Sequence, residues 1–256
     1  MNESPSMLTR RSLITGVASA GGLLAAGCSQ SQPPTYGNVL RMADQFTYRA
    51  QRLLLPERSL VKQFTLGDIT SMPATGNTDP GDEKLAGYDA GLGPQYARLH
   101  AGDFADWRLS VEGSVARPGG YALADLARFA ARTQITKHTC EEGWSAITEW
   151  TGVPLRTVLE SAGIRAAARY VNFHTYDGQI DSIDMFDALH PQTLIAYGMN
   201  GRALPLQHGA PVRLRVERQL GYKSLKFLHR VVVTERFYDP GSAGPIDSGW
   251  AWYVGI

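Results

Sequence analysis

Residues 137–144 read Lys-His-Thr-Cys-Glu-Glu-Gly-Trp, and the cysteine of this stretch, Cys140, indicates more about the fold than any other residue. The chain has one other cysteine, Cys28, which lies in a segment with the pattern of an export signal. Exported proteins usually pair their cysteines or lack them, because their compartment is oxidising. An unpaired cysteine is useful there when a metal binds its thiolate, although it can also be a small buried apolar side chain.

Three chemical roles for Cys140 can be compared. A nucleophile needs a base, and His138 would share its face if residues 133–138 form a strand, but catalytic pairs normally come from separate segments. A zinc site needs four protein ligands, which one cysteine and 6 scattered histidines do not supply at structural spacing. A metal whose remaining ligands come from a cofactor needs only one thiolate, so the sequence favours this role.

The N-terminal residues predict export. Residues 9–14, Thr-Arg-Arg-Ser-Leu-Ile, form a twin-arginine pattern, and the apolar run that follows is shorter than the about 20 residues that span a bilayer. Twin-arginine export carries folded proteins, typically with a cofactor inserted, so we expect a cofactor and a periplasmic or other extracytoplasmic location. Cys28 follows Ala-Ala-Gly, as in a lipoprotein cleavage box, although Ala25 replaces the usual leucine; ordinary cleavage after small residues is the alternative to a lipid anchor. We predict a signal peptide at 1–27 and a tether with an N-terminal extension at 28–60.

The composition limits the class of protein. The chain has 256 residues, 43% of them apolar, and a formal net charge of +1 that becomes balanced without the predicted signal. This balance argues against nucleic acid or an anionic membrane surface as the main partner. The length allows one substantial domain or two small ones. The sequence has neither the G-x-G-x-x-G nor the G-K-[ST] pattern, so dinucleotide and P-loop sites lack support.

Strands and helices are predicted in an irregular order. Apolar and polar residues alternate over 107–113 and predict a half-buried strand before a Pro-Gly-Gly turn. Helical spacing predicts helices over 123–131 and 153–162. Because helices do not recur between every pair of strands, a mixed α+β fold is favoured over a doubly wound sheet. The other predicted strands are 169–174, 193–197, 212–217 and 229–235.

Two further segments predict a phosphate site. Residues 204–214, Leu-Pro-Leu-Gln-His-Gly-Ala-Pro-Val-Arg-Leu, form a loop that enters a strand, and Arg213 there can make a bidentate phosphate contact. Residues 219–226, Gln-Leu-Gly-Tyr-Lys-Ser-Leu-Lys, can present backbone N–H groups and the cations of Lys223 and Lys226 to an anion. Each feature alone is more often a solvated surface charge. Together they predict a site for a phosphorylated ligand.

The Cys140 stretch, residues 150–155 (Trp-Thr-Gly-Val-Pro-Leu), residues 190–194 (His-Pro-Gln-Thr-Leu) and the two phosphate segments follow in an order that resembles the molybdopterin-binding domain of the sulfite oxidase family. The likeness is greatest to the bacterial periplasmic branch that includes the methionine-sulfoxide reductase catalytic subunit. The resemblance implies a single-domain, sulfite-oxidase-type α+β fold over 61–256, with mixed sheets and flanking helices. It also implies one molybdopterin carrying molybdenum, with Cys140 as the protein's ligand to the metal.

The resemblance assigns cofactor contacts residue by residue. Arg213 matches the arginine near the cofactor phosphate, and His208 occupies a position that is asparagine in the methionine-sulfoxide branch. The family's early asparagine-containing loop matches residues 75–80, Thr-Gly-Asn-Thr-Asp-Pro, which makes Asn77 its counterpart. The predicted cofactor-binding residues are Asn77, Cys140, Thr175, His208, Arg213, Ser224, Leu225 and Lys226.

Departures from the family predict the substrate. Sulfite oxidases place arginines shortly after the metal-binding cysteine to hold an anionic substrate, whereas this chain has Glu142, Gly143 and Trp144 there. Carboxylates beside the metal would repel sulfite by about 1 kcal/mol or more each at partly shielded range. We therefore predict that the catalytic residues are Cys140, Glu141 and Glu142, with the glutamates able to relay protons.

The expected activity is two-electron oxygen-atom transfer, with a neutral sulfoxide or N-oxide reduced; oxidation of sulfite or another small sulfur compound is the alternative. The chain lacks a C-x-x-C-H haem motif, so electrons must come from a separate protein, either a membrane b-type haem subunit or a c-type cytochrome. The family's long C-terminal dimerisation domain is missing, and we expect a monomer. A thiol hydrolase using Cys140 and His138, and a cofactor-free lipoprotein with the same fold, remain alternatives.

Overall fold

The computed structural model describes residues 36–56, 59–238, 240, 243–244 and 250–256. The predicted signal peptide, Cys28 and the start of the predicted tether lie outside these residues. The chain divides into the units Met1–Leu40 and Arg41–Ile256, and the described residues of the first unit are the opening residues of a helix. The second unit is a compact domain that begins at Arg41.

One sheet has five strands in the order β2-β1-β10-β5-β6. Strands β1 and β10 are parallel, and the other neighbouring pairs are antiparallel. Side chains alternate between buried and partly exposed along β1, as the sequence predicts. The strands are β1 (Leu109–Gly113), β2 (Gly119–Tyr121), β5 (Tyr170–Thr175), β6 (Ile180–Asp184) and β10 (Leu228–Thr234).

The second sheet has the order β3-β4-β7-β8, and β9 pairs with β7. Strands β3 and β4 form an antiparallel hairpin whose last pair is Thr139 with Ser145, so residues 140–144 form its turn. The Cys140 N–H donates to the Trp144 carbonyl at 2.9 Å, and Gly143 has a φ of +90°, which favours glycine. The strands are β3 (Arg132–Thr139), β4 (Ser145–Pro154), β7 (Leu194–Met199), β8 (Arg202–Ala203) and β9 (Arg213–Arg215).

Helices are few in the described part of the chain. Leu155, Val158, Leu159 and Ala162 lie on one face of α4 and are fully buried in the core that this helix shares with both sheets. None of the helices described is long and apolar enough to cross a bilayer. The helices are α1 (Tyr36–Leu54), α2 (Gly93–Ala101), α3 (Leu123–Leu126), α4 (Leu155–Ala162) and α5 (Met185–Ala188).

The predicted α+β class is confirmed, since two sheets, the first mixed and the second built from antiparallel pairs, carry few helices. The helix predicted over 123–131 is wrong in length, because α3 ends at Leu126 and turns follow before β3. Leu123, Leu126 and Phe129 still pack on the core. A short helix followed by turns therefore buries the same apolar residues that a longer helix would bury. The other predicted helix begins at Leu155, with Pro154 as its N-cap.

Candidate functional site

One cavity of about 160 Å³ lies where the β3–β4 turn meets the loop before α2 and the segment that follows β8. It contains almost all of the residues that the sequence assigns to the site. Its lining consists of Met72, Pro73, Thr75, Gly76, Asn77, His138, Cys140, Glu141, Glu142, Trp144, Asp177, Gln179, Gln207, His208, Arg213, Gly221, Tyr222, Ser224, Leu225 and Lys226.

Cys140 is held at the start of the hairpin turn and is 6% exposed. Its Sγ lies 3.4 Å from Glu141 Oε2 and 3.8 Å from Glu142 Oε2. Burial raises the pKa of the Cys140 thiol to about 11, against a backbone hydrogen bond from Glu142 that lowers it. The Trp144 indole N–H donates to Glu142 Oε2 at 2.7 Å and holds that carboxylate beside the sulfur. A cation is therefore needed to favour the thiolate at this position.

His138 lines the same cavity but is engaged elsewhere. Its Nδ1 lies 2.7 Å from a guanidinium nitrogen of Arg215, and its ring packs 5.4 Å from the Trp144 ring. Burial lowers the pKa of His138 to about 2, and Arg215 and Arg213 add to this shift. An imidazole in this setting is a weak base, and the polar contacts of the Cys140 sulfur are with carboxylates. This arrangement disfavours the cysteine–histidine hydrolase.

Arg213 begins β9 and is 4% exposed. Its guanidinium donates to the carbonyls of His208 at 3.0 Å and Ser224 at 2.7 Å, and it lies 5.0 Å from the Trp150 ring centroid. Its buried Nε has no hydrogen-bond partner among the described residues. Burial lowers the pKa of Arg213 to about 9, helped by the neighbouring charge of Arg215. A buried cation with a spare N–H at a cavity wall is suited to an anion.

Lys226 ends the second predicted phosphate segment, residues 219–226, and burial lowers its pKa to about 8. Its ammonium donates to the Thr75 carbonyl at 2.8 Å and also to the Asn77 carbonyl. Lys226 thereby ties the loop at 75–77 to the wall of the cavity. The Asn77 side chain is turned into its own loop, where Oδ1 accepts from the Asp79 N–H at 2.9 Å.

Glycines allow the cavity walls to approach each other. A Cβ on Gly221 would lie 2.6 Å from His138 Nε2 and 2.9 Å from the Thr139 carbonyl, so only glycine brings this loop against the end of β3. Gly209 has a φ of +108°, and its Cβ would lie 2.9 Å from that of Lys226. The cysteine turn and the predicted phosphate segments therefore meet closely because of two residues without side chains.

His208 and Ser224 lie beside these glycines. Burial lowers the pKa of His208 to about 4, with Arg213 and Lys226 adding to the shift, so its ring is neutral at pH 7. The Ser224 hydroxyl accepts from the Val216 N–H at 3.1 Å. This hydrogen bond fixes the position of Ser224 in the cavity wall.

Thr175 is the predicted contact that does not line the cavity. It is 1% exposed, its Oγ1 accepts from the Gln179 N–H at 2.9 Å, and its hydroxyl donates to the Asp177 carboxylate. Asp177 does line the cavity, and burial raises its pKa. Sequence reasoning missed Asp177, although the Thr-Tyr-Asp-Gly turn at 175–178 was available as a signal.

Lys223 does not face the cavity either, although its spacing from Lys226 suggested a pair of cations for one anion. It is 1% exposed, and its ammonium pairs with Asp181 at 2.6 Å and donates to the Ser182 carbonyl at 2.8 Å. A second ion pair, Arg215 with Glu217 at 2.9 Å, is buried behind Arg213. These pairs support the cavity wall and leave Arg213 and Lys226 as its cations.

The residues present fit a phosphorylated, metal-carrying cofactor. The unpartnered Nε of Arg213 marks a place for an anion, and the Cys140 sulfur offers one soft ligand on the same cavity. Asp177 adds an acceptor suited to the amino groups of a heterocycle. Within the described residues, no cluster of three or more histidine, cysteine or carboxylate side chains could hold a metal without such a cofactor.

The cavity residues fit a molybdenum-cofactor oxidoreductase, and the family comparison shows that class. The family model described as "Oxidoreductase molybdopterin binding domain" matches residues 97–240, so the chain belongs to this family. The predicted enzyme class and the predicted cofactor, Mo-molybdopterin, are thereby confirmed.

Curated relatives are similar over most of the chain. The "Putative protein-methionine-sulfoxide reductase subunit YedZ1" of Azospira oryzae is 33% identical over 247 residues, covering 96% of this chain and 87% of that protein. The "Protein-methionine-sulfoxide reductase catalytic subunit MsrP" of Xanthomonas campestris pv. campestris is 30% identical over 245 residues, covering 89% and 70%. Among solved structures, the sulfane dehydrogenase SoxCD from Paracoccus pantotrophus is 25% identical with a TM-score of 0.49, covering 52% of this chain and 39% of that one.

Proposed function

We propose that the protein reduces neutral sulfoxides outside the cytoplasm, with methionine sulfoxide as the first substrate to test. The reaction takes a sulfoxide, two electrons and two protons to a thioether and water. The names of the relatives, which are subunits of protein-methionine-sulfoxide reductases, support this substrate class. N-oxides share the neutral, polarised oxygen and are the second class to test.

The observation that carries the substrate class is the pair of carboxylates beside Cys140. Glu141 and Glu142 each bring an oxygen within 3.8 Å of its sulfur. Trp144 fixes one of them through its indole N–H. Negative charge at this distance from a metal ligand opposes a second anion such as sulfite and does not oppose a neutral sulfoxide.

The bound cofactor supplies the oxygen-atom transfer and the two-electron redox chemistry. In this proposal Cys140 would bind the metal and Arg213 the cofactor phosphate, while Lys226 holds the loop at 75–77 against the cavity wall. Either Glu141 or the more exposed Glu142 delivers protons to the oxygen that leaves as water. The neutral His208 ring would hydrogen-bond the pterin.

The test is an assay in both directions on molybdenum-loaded protein. We expect turnover of methionine sulfoxide and dimethyl sulfoxide with reduced viologen, and poor oxidation of sulfite with ferricyanide or cytochrome c. Replacing Glu141 or Glu142 with Gln should improve sulfite turnover by roughly fivefold each, the equivalent of about 1 kcal/mol. Glu160→Gln is the matched control and should change neither activity, because Glu160 lies on α4 and does not line the cavity. Tight sulfite oxidation by the unaltered protein would refute the sulfoxide assignment and favour the sulfur-compound dehydrogenase.

We further propose that a separate protein supplies the electrons, as the word "subunit" in the relatives' names supports. A membrane b-type haem protein is the first candidate, and a c-type cytochrome is the second. Reduction of sulfoxide by quinol in membranes that contain the candidate, and not in membranes without it, would identify the donor.

Export by the twin-arginine route and lipidation at Cys28 are also proposals. Changing Arg10 and Arg11 to Lys should leave loaded enzyme in the cytoplasm. Mass spectrometry of the mature N-terminus separates a lipid on Cys28 from ordinary cleavage near small residues. An unmodified N-terminus beyond Cys28 would remove the lipid anchor and leave export intact.

A further inference from the structure

Large apolar side chains are concentrated on the surface of one segment, α1 and the residues that follow it. Phe46, Leu53 and Leu54 are 72%, 85% and 75% exposed, and Met42 is 41% exposed. Beyond the helix, Leu55 and Leu60 are also exposed, at 38% and 51%. Contiguous apolar surface of this kind marks a site of interaction with protein or membrane.

Three of these exposed side chains share one face of α1. Met42, Phe46 and Leu53 are separated by four and seven residues, which places them in a single line on a helix. We call these three residues the apolar stripe. Arg49 lies within the same line and is exposed, so its long side chain can reach past the stripe to a polar layer.

The opposite face of α1 is fixed to the domain, so the apolar stripe cannot turn inward. Arg52 makes salt bridges with Asp184 at 2.9 Å and Asp187 at 2.8 Å. The Tyr48 hydroxyl donates to Asp184 at 2.8 Å, and the Tyr253 ring packs 5.1 Å from the Tyr48 ring. The domain therefore presents the stripe outward on a rigid support.

The position of α1 in the chain indicates what covers the stripe. Tyr36, the first residue of the helix, lies eight residues after Cys28, a distance of about 28 Å at full extension. A lipid at Cys28, which is part of the proposed function, would hold the helix within that distance of a bilayer. The residues that line the cavity lie outside α1, so an electron donor that approaches the cavity need not cover the stripe.

We infer that the apolar stripe of α1 lies in the interfacial layer of a lipid bilayer and docks the domain on the membrane. Apolar side chains with an arginine among them are typical of helices that lie in this layer. The near-balanced charge of the chain makes the attraction apolar, so neutral vesicles should bind about as well as anionic ones. This contact is a second membrane attachment beside the proposed lipid anchor, and it fixes the orientation of the domain.

The test uses the molybdenum-loaded chain beginning at Ser29, which contains every described residue and no lipid. We expect it to float with phosphatidylcholine vesicles and with mixed phosphatidylethanolamine–phosphatidylglycerol vesicles. Phe46→Ser and Leu53→Ser should each lower the partition coefficient by about tenfold, the loss expected for one large buried apolar side chain. Leu66→Ser is the matched control, since Leu66 is 70% exposed on a turn outside α1.

Three results would overturn the inference: no flotation of the unaltered chain, an equal loss in Leu66→Ser, or binding that requires the electron-donor protein in the vesicles. The last result would assign the stripe to a protein interface. Sulfoxide reduction with reduced viologen should be unchanged in both stripe variants. Loss of vesicle binding therefore tests the stripe, whereas absence of sulfoxide turnover in the unaltered chain tests the proposed function.

Discussion

Replacing Arg213 with Met should remove the cofactor without unfolding the protein. In the structure Arg213 makes no salt bridge with the described residues, and its guanidinium donates to two backbone carbonyls while Nε stays unpartnered. If the cofactor phosphate accepts from Nε and balances the guanidinium charge, loss of Arg213 makes the free energy of cofactor binding less favourable by about 2–5 kcal/mol. This range corresponds to an affinity loss of roughly 30-fold to several thousand-fold.

Arg215→Met is the matched control, because Arg215 lies 4.4 Å from the same Trp150 ring and is equally buried. Its guanidinium pairs with Glu217, and its removal strands a carboxylate that is 0% exposed, at a cost of about 3–5 kcal/mol in stability. For a domain of this size that cost lowers Tm by roughly 10 °C. In Arg213→Met no carboxylate is stranded, so the Tm of cofactor-free protein should change much less.

The assay measures molybdenum per folded chain by elemental analysis, pterin by fluorescence after oxidation, and Tm of protein made in a host without the cofactor. We expect Arg213→Met protein to contain almost no molybdenum. The Tm of the same variant made without cofactor should be close to that of the unaltered protein. Arg215→Met should be less stable and loaded in proportion to its folded fraction. Full molybdenum content with lost activity in Arg213→Met would move this arginine into the substrate pocket and refute the phosphate assignment.

Three other expectations follow from the same contacts. Cys140→Ser should stay folded and lose turnover, because a hydroxyl is a poorer donor to molybdenum than a thiolate, whereas His138→Ala should be milder in the same activity assay. Asp177→Asn should lower pterin content severalfold at unchanged Tm if its carboxylate binds the heterocycle, and equal content would exclude that contact. The His229 pKa is lowered to about 4 by burial and by His174 and Arg230, so its native form is neutral. Stability should therefore fall by about 2 kcal/mol as pH drops from 6.5 towards 4, and acid unfolding of His229→Gln should lack part of this loss.

The sequence predicts strands of the first sheet better than the β3–β4 hairpin. β1 alternates between buried apolar and partly exposed residues, so its period is visible. The inner face of β3 instead buries Gln134, Thr136 and His138. Gln134 donates to Glu217 and His138 contacts Arg215, so this face meets a charged pair. Polar residues on a buried face hide the period on which strand prediction depends.

The helix α1 was not predicted from the sequence, for a related reason. Its exposed face carries apolar residues, and its buried face holds Tyr48 and Arg52, which reverses the usual pattern of a surface helix. The candidate site was easier to predict, because the cysteine turn and both phosphate segments are continuous in the chain. Asp177 was missed because its place in the cavity depends on the pairing of β5 with β10, which brings residue 177 near Lys226.

The cations of the cavity link cofactor binding to the stability of the fold. Burial lowers the pKa values of Arg213 and Lys226, which means that each charge is held in the protein at a cost. Binding of an anionic cofactor would repay that cost only in the folded state, so stability should rise with cofactor occupancy. A chain that gains stability from its cofactor benefits from loading before it leaves the cytoplasm. The proposed twin-arginine route, which carries folded proteins, would allow such loading.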